Sequence, residues 1–120
     1  MTRFKLIYFD LRGRAELTRL IFHYAGQEFE DHRLGYGEGL PSQSAEWLAI
    51  KTQMPFLQVP VLEVDGELVT QSHTIARYLA RRFKLAGRSE IEEAQADAYV
   101  DHIYDLITGE RLGSLVTLRS

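Results

Sequence analysis

The chain has 120 residues, a length that suits one domain, or one domain and a fragment of a second. Apolar residues make up 45% and charged residues 26%, enough to bury one core, and a net charge of −3 argues against a nucleic-acid binder, which needs a basic excess. There is no cysteine, so disulfides, thiol catalysis by the chain itself and cysteine-ligated zinc are excluded. No stretch resembles a signal peptide or a membrane span, and the expected location is cytoplasmic.

Phe4, Leu6 and Tyr8 alternate with Ile7 and Phe9, which predicts a first strand covered on both faces and ending in a tyrosine. Asp10-Leu-Arg-Gly13 reads as a turn. Leu17, Leu20, Ile21 and Tyr24 recur at i, i+3, i+4 and i+7, so a helix follows with that stripe as its buried face, and Gly26 stops it. Phe29-Glu-Asp-His-Arg33 is a weakly patterned second strand. Residues 34–44 hold three glycines and a proline and read as an exposed loop, and 45–50 as one or two helical turns.

Residues 60–64 and 67–70 form two strands joined by Asp65-Gly66, a two-residue turn suited to positive φ at both positions. Pro60 lacks an amide proton and fits the first position of its strand. Ser72 is expected to cap a helix with Ile75, Leu79 and Phe83 on its buried face, with Arg77, Arg81 and Arg82 toward the negative end of the helix dipole and Ala86-Gly87 as its end. Ser89-Glu-Ile-Glu92 is a capping box opening a longer helix with a stripe of Ala96, Val100, Ile103 and Ile107, ended by Gly109. The order β-α-β, loop, β-hairpin, α predicts an α/β, thioredoxin-like domain with a four-stranded mixed sheet, followed by one further helix.

Several residues could carry chemistry, and each has an ordinary structural alternative. A phenol at a strand end, as at Tyr8, can donate to an anion or tie itself to the backbone. Gln71 and Ser72 stand where a strand meets a helix, a natural anion site or a plain cap. The X-Pro bond after Val59 could be cis and offer the Val59 backbone to an extended ligand. Trp47 and Lys51 lie four apart and share a helix face if the short helix forms. Asp97, Asp101 and Asp105 form an acidic stripe: a solvated face, a contact with a ligand amine or with a partner subunit, or a poorly caged hard cation. The four histidines show no metal spacing.

Four stretches in order, Tyr8-Phe-Asp-Leu-Arg-Gly-Arg-Ala-Glu, Gln58-Val-Pro-Val-Leu-Glu-Val-Asp-Gly, Gln71-Ser-His-Thr-Ile-Ala-Arg-Tyr-Leu-Ala and Leu85-Ala-Gly, resemble the cytosolic glutathione transferases. The likeness is to the sigma class, which includes nematode enzymes and haematopoietic prostaglandin D synthase, and it runs from about Phe4 to about Leu106. It implies a transferase that uses glutathione as cosubstrate, requires no metal, attacks a small electrophile, and forms a homodimer, with exposed Phe56 in the subunit contact. It implies that Tyr8 hydrogen-bonds the glutathione sulfur with Arg14 in support. Trp47 and Lys51 would hold the glycyl end. Gln58, Val59 and a cis Pro60 would present backbone to the cysteinyl unit, Gln71 and Ser72 would bind the γ-glutamyl carboxylate, and Asp105 would reach the neighbouring subunit's ligand. The implied domains are 1–84, thioredoxin-like and glutathione-binding, and 85–120, a fragment of an all-helical domain with an atypical tail. The loop 34–44 looks longer than is usual for the class, and a truncated product or a splice variant is expected because the rest of the helical domain does not follow. The alternatives are a glutathione-dependent prostaglandin isomerase and a non-catalytic, crystallin-like or truncated subunit. A dithiol oxidoreductase is rejected by the lack of cysteine.

Overall fold

A computed structural model describes residues 1–108, with the side chains of 107 and 108 left aside. The expected stop at Gly109, the tail beyond it and the side chain of Ile107 therefore lie outside the described residues.

Strand β1 (Phe4–Phe9) places alternate side chains on opposite faces of the sheet. Phe4, Leu6 and Tyr8 join Leu62, Ala15, Phe22, Ile75 and Leu79 in one core. Ile7 joins Val61, Leu34, Trp47 and Met54 in another. The strand is thus covered on both faces, as its short apolar run predicts. β2 (Glu30–Leu34) pairs parallel to β1, while β3 (Val61–Val64) and β4 (Glu67–Thr70) follow antiparallel, giving the order β2-β1-β3-β4. Between β3 and β4, Asp65 and Gly66 take φ of 48° and 90°, the turn that an Asp-Gly pair favours. The architecture is the expected thioredoxin-like mixed sheet.

Helix α1 (Glu16–Ala25) is rotated from the expected face. Its buried residues are Thr18, Arg19 and Phe22, which continue the spacing of Ala15 in the preceding 3-10 turn (Gly13–Ala15), while Leu20 and Tyr24 are 55% and 80% exposed. Hydropathy misses this phase because it counts Arg19 as a surface residue. Its guanidinium is buried with partners for its charge: Nε donates to Asp31 at 3.2 Å and Nη1 to the Leu11 carbonyl at 2.7 Å, with Glu16 at 3.4 Å.

The loop 34–44 holds a 3-10 turn (Pro41–Gln43) and leads into α2 (Ala45–Ile50), capped by the Ser44 hydroxyl accepting from the Trp47 amide. Helix α3 (Ser72–Arg82) buries Ile75 and Leu79 of the expected stripe together with Ala76, while Phe83 follows the helix and is half-buried. The helix ends before Ala86-Gly87. Lys84 takes a left-handed φ of 59°, the Leu85 amide bonds the Ala80 carbonyl and the Lys84 amide bonds that of Arg81, which closes the helix without glycine.

Helix α4 (Glu90–Thr108) begins with half of the expected box: the Glu92 amide donates to Ser89 Oγ at 3.2 Å, but the Glu92 carboxylate reaches back to the Arg88 amide, one residue too early. Its docking face differs from the expected stripe. Ala96 and Val100 are half-buried and Ile103 is 38% exposed, whereas Asp97, Asp101 and the buried Tyr104 meet α3. Arg77 donates to Asp97 at 2.7 Å and Asp101 at 2.9 Å, and His73 lies 3.3 Å from Asp101. The hydrogen bond to Asp97, opposed by partial burial, holds Arg77 above its ordinary pKa. Two members of the acidic stripe are therefore helix-to-helix partners, which corrects the solvated-face reading for them.

Candidate functional site

The end of β1 brings the Tyr8 ring into the core, 8% exposed, with its oxygen at the start of the 13–15 turn. The Arg14 amide donates to that oxygen at 3.2 Å. The oxygen is thereby held as an acceptor, and among the described residues no protein group takes its proton, so the phenol retains a donor to offer. Gly13 makes the approach feasible. At φ +40°, a Cβ there would stand 2.5 Å from the Tyr8 oxygen and 2.5 Å from Leu11 Cδ1. Behind the turn, the buried Arg19 donates to the carbonyls of Leu11 and Phe9, and its guanidinium carbon lies 5.9 Å from the centre of the Tyr8 ring. This support was missed in the sequence, where Arg19 in Glu16-Leu-Thr-Arg19 reads as an ordinary surface charge.

Beyond Tyr8 opens a cleft of about 520 Å³. Phe9 and Arg14 line it, with Trp47, Lys51 and Ser42 of the loop. The segment 57–60 and the residues Thr70, Gln71 and Ser72 complete the lining. Trp47 packs as well as lines the cleft, 5% exposed and edge-on to Phe9 at 5.7 Å. The Val59–Pro60 bond is cis. Phe9, Ser42, Leu57 and Thr70 were not singled out in the sequence. Phe9 could have been, since a strand that sends Tyr8 to one face sends its neighbour to the other.

At the start of α3 the structure corrects the expected cap. Gln71, not Ser72, occupies the position before the helix, at φ 75° and ψ 123°, and makes no side-chain cap. Ser72 is the first helical residue and is 6% exposed. A non-glycine residue at positive φ is uncommon and costs on the order of 1–3 kcal/mol, a pattern that concentrates at functional sites. It leaves the first-turn amides without a side-chain cap, the arrangement in which an anion can be accepted.

The region 4–81 matches the family model described as glutathione S-transferase, N-terminal domain. The chain belongs to this glutathione S-transferase family. It is 51% identical over 107 residues to hematopoietic prostaglandin D synthase of Gallus gallus, an alignment covering 89% of this chain and 50% of that protein. It is 49% identical over 107 residues to glutathione S-transferase 1 of Ascaris suum, covering 89% and 48%. Among solved structures it resembles monomeric Na-GST-3, a glutathione S-transferase of the hookworm Necator americanus, with a TM-score of 0.77, 45% identity, and coverage of 97% of this chain and 53% of that one. The chain spans about half the length of the curated relatives it matches.

Within this glutathione S-transferase domain, Arg14, Trp47, Lys51, Gln58, Val59, Pro60, Gln71 and Ser72 all line one cleft, although they lie in five separate stretches of the chain. Tyr8 lies behind the Arg14 turn, and Asp105 is half-buried on α4, away from the cleft lining of its own chain. Phe56 projects at 72% exposure with φ 55°. Among the described residues no group of three or more histidines, cysteines or carboxylates is placed to hold a metal ion, and no helix is long and apolar enough to cross a membrane.

Proposed function

We propose that this cleft binds glutathione and that the Tyr8 hydroxyl stabilises its thiolate for attack on a small electrophile. The observation that carries this reading is the convergence of Arg14, Trp47, Lys51, the 58–60 segment and Gln71-Ser72 on one cleft beside a phenol with a proton to give. An extended tripeptide with a carboxylate at each end fits such a cleft. Lys51 and Trp47 serve the glycyl end, the Val59 backbone the cysteinyl unit, and Gln71, Ser72 and the α3 amides the γ-glutamyl carboxylate.

The energetics agree. A free thiol has a pKa near 8.5 and is mostly protonated at neutral pH. Lowering it by about two units requires about 2.7 kcal/mol of preferential thiolate stabilisation. One charge-assisted hydrogen bond contributes about 1.5–3 kcal/mol, so Tyr8 supplies most of the shift and the cationic field of Arg14 the rest. The thiolate sulfur forms a bond to the electrophilic carbon as the leaving group departs with its electron pair. No metal enters this chemistry.

Identity of 51% to a prostaglandin D synthase supports a second reading, isomerisation of a prostaglandin-type substrate by the same thiolate. Sigma-class membership, a cytoplasmic detoxification role, the 1–84 and 85–120 domain division and a homodimer with Asp105 reaching the partner's ligand belong to the same proposal. The dimer is the part most open to test, because one similar structure is described as monomeric.

Calorimetry with glutathione, followed by ultraviolet titration of the bound thiolate, tests the central claim. Tyr8→Phe should raise the bound-thiol pKa by up to about two units and slow conjugation of a generic aryl halide by about tenfold or more, the weight of one charge-assisted hydrogen bond. An unchanged titration removes Tyr8 from this role. Binding without conjugation or isomerisation would select a non-catalytic glutathione-binding chain.

A further inference from the structure

Tyr104 differs from the aromatic residue that precedes it on α4. It is 1% exposed, while Tyr99 is 72% exposed. Its hydroxyl donates to the Ser72 carbonyl at 3.1 Å, and its ring lies against His73 with centroids 4.3 Å apart. The Thr18 hydroxyl of α1 faces the phenol, and α4 packs on the Gly13–Ala15 turn. These contacts reach two supports of the cleft. The turn carries the Arg14 amide that holds the Tyr8 oxygen, and Ser72 opens α3.

We propose that Tyr104 is a positioning residue of the glutathione site, whose bond to the Ser72 carbonyl and packing on the 13–15 turn set the spacing between the Tyr8 hydroxyl and the start of α3. This rests on the reading of the cleft as a glutathione site. Tyr104 stands behind Ser72 and outside the cleft lining, so it acts through these two supports rather than on the ligand. A tripeptide held at its sulfur by Tyr8 and at its γ-glutamyl carboxylate by the start of α3 engages both only when their separation matches its own, and a small misplacement loses the alignment of the sulfur. Burial pushes the Tyr104 pKa up to about 12, so its hydroxyl remains a donor throughout the range in which a thiol titrates. The site would then draw its geometry partly from a helix that lies beyond the 4–81 family match.

Tyr104→Phe removes the hydroxyl and keeps the ring. On the full chain, glutathione affinity by calorimetry should fall about two- to tenfold, the weight of one hydrogen bond. The bound-thiol pKa, read by ultraviolet absorbance, should rise by about half a unit, a readout that a merely space-filling tyrosine would not move. His73→Ala, at a half-exposed position outside the cleft lining, withdraws ring support and should raise the same pKa in the same direction; it decides the matter alone if Tyr104→Phe does not fold. Glutathione binding and thiol pKa indifferent to both substitutions overturn the proposal alone. Absence of glutathione binding by the unaltered chain brings down the site reading and this proposal with it.

Discussion

Helices α3 and α4 lie against each other but are held by different physics. α3 is seated by apolar contact: Ile75, Ala76 and Leu79 are fully buried, Ile75 and Leu79 in the core built on β1 and β3. α4 is seated by polar contact, through Asp97 and Asp101 on Arg77 and through the Tyr104 hydroxyl on Ser72, while Tyr99, Ile103 and Leu106 are exposed. The periodicity of apolar residues locates the docking face of a helix only when the docking is apolar. It succeeds for α3 and fails for α4, where the residues that dock are two carboxylates and a tyrosine.

The comparison is broken most severely in α3. Leu79→Ala should cost about 2–5 kcal/mol, the range for truncating a buried leucine, seen as a large drop in the urea midpoint. Ile103→Ala on the exposed side of α4 should cost within about 0.5 kcal/mol, as substitutions away from packed features do. A loss at Ile103 equal to that at Leu79 would mean that this face is covered in solution, and the contrast would fall.

An effect of intermediate size belongs to Tyr104 and is read through pH. Its folded pKa is about 12, raised by burial, against about 10 for an exposed tyrosine. Because the folded state holds the proton more tightly, the associated stability is complete below about pH 10 and is lost as pH rises through about 12, a total on the order of 2–3 kcal/mol. Urea midpoints measured across this window should fall more steeply for the native chain than for Tyr104→Phe. Parallel curves would show that the phenol is not desolvated.

Among the polar contacts of α4, a smaller effect is expected at Arg77. Its side chain is 35% exposed and its partners Asp97 and Asp101 are 47% and 51% exposed, so solvent screens the pairs. Arg77→Met should lower stability by about 0.5–1 kcal/mol, and the difference should shrink in high salt. Salt-independent destabilisation would instead point to lost packing of the arginine stem.

Part of the candidate site was legible residue by residue. Tyr8 at the end of a doubly covered strand follows from the run Phe4 to Phe9, and the hairpin follows from Asp65-Gly66. The start of α3 was legible as a place but not in detail, because Ser72 is the preferred residue for a cap that Gln71 in fact occupies at positive φ. Arg19 and Tyr104 were not legible as supports. One is a charge that becomes buried by virtue of Asp31, Glu16 and two carbonyls distant in sequence, and the other is a phenol whose acceptor lies 32 residues away.

By itself, then, the sequence determined what depends on neighbours along the chain: the turn at Asp65-Gly66, the two faces of β1, the apolar seat of α3, and the exclusion of any thiol chemistry of its own. Tertiary structure alone decided the rotation of α1, the polar seating of α4, the strand order and the gathering of Arg14, Lys51, Val59 and Ser72 around one cleft. The reason is physical. A local pattern reports the hydropathy of a residue, whereas the burial of an arginine, an aspartate or a phenol is set by the partner that compensates its desolvation, and that partner is supplied only by the fold.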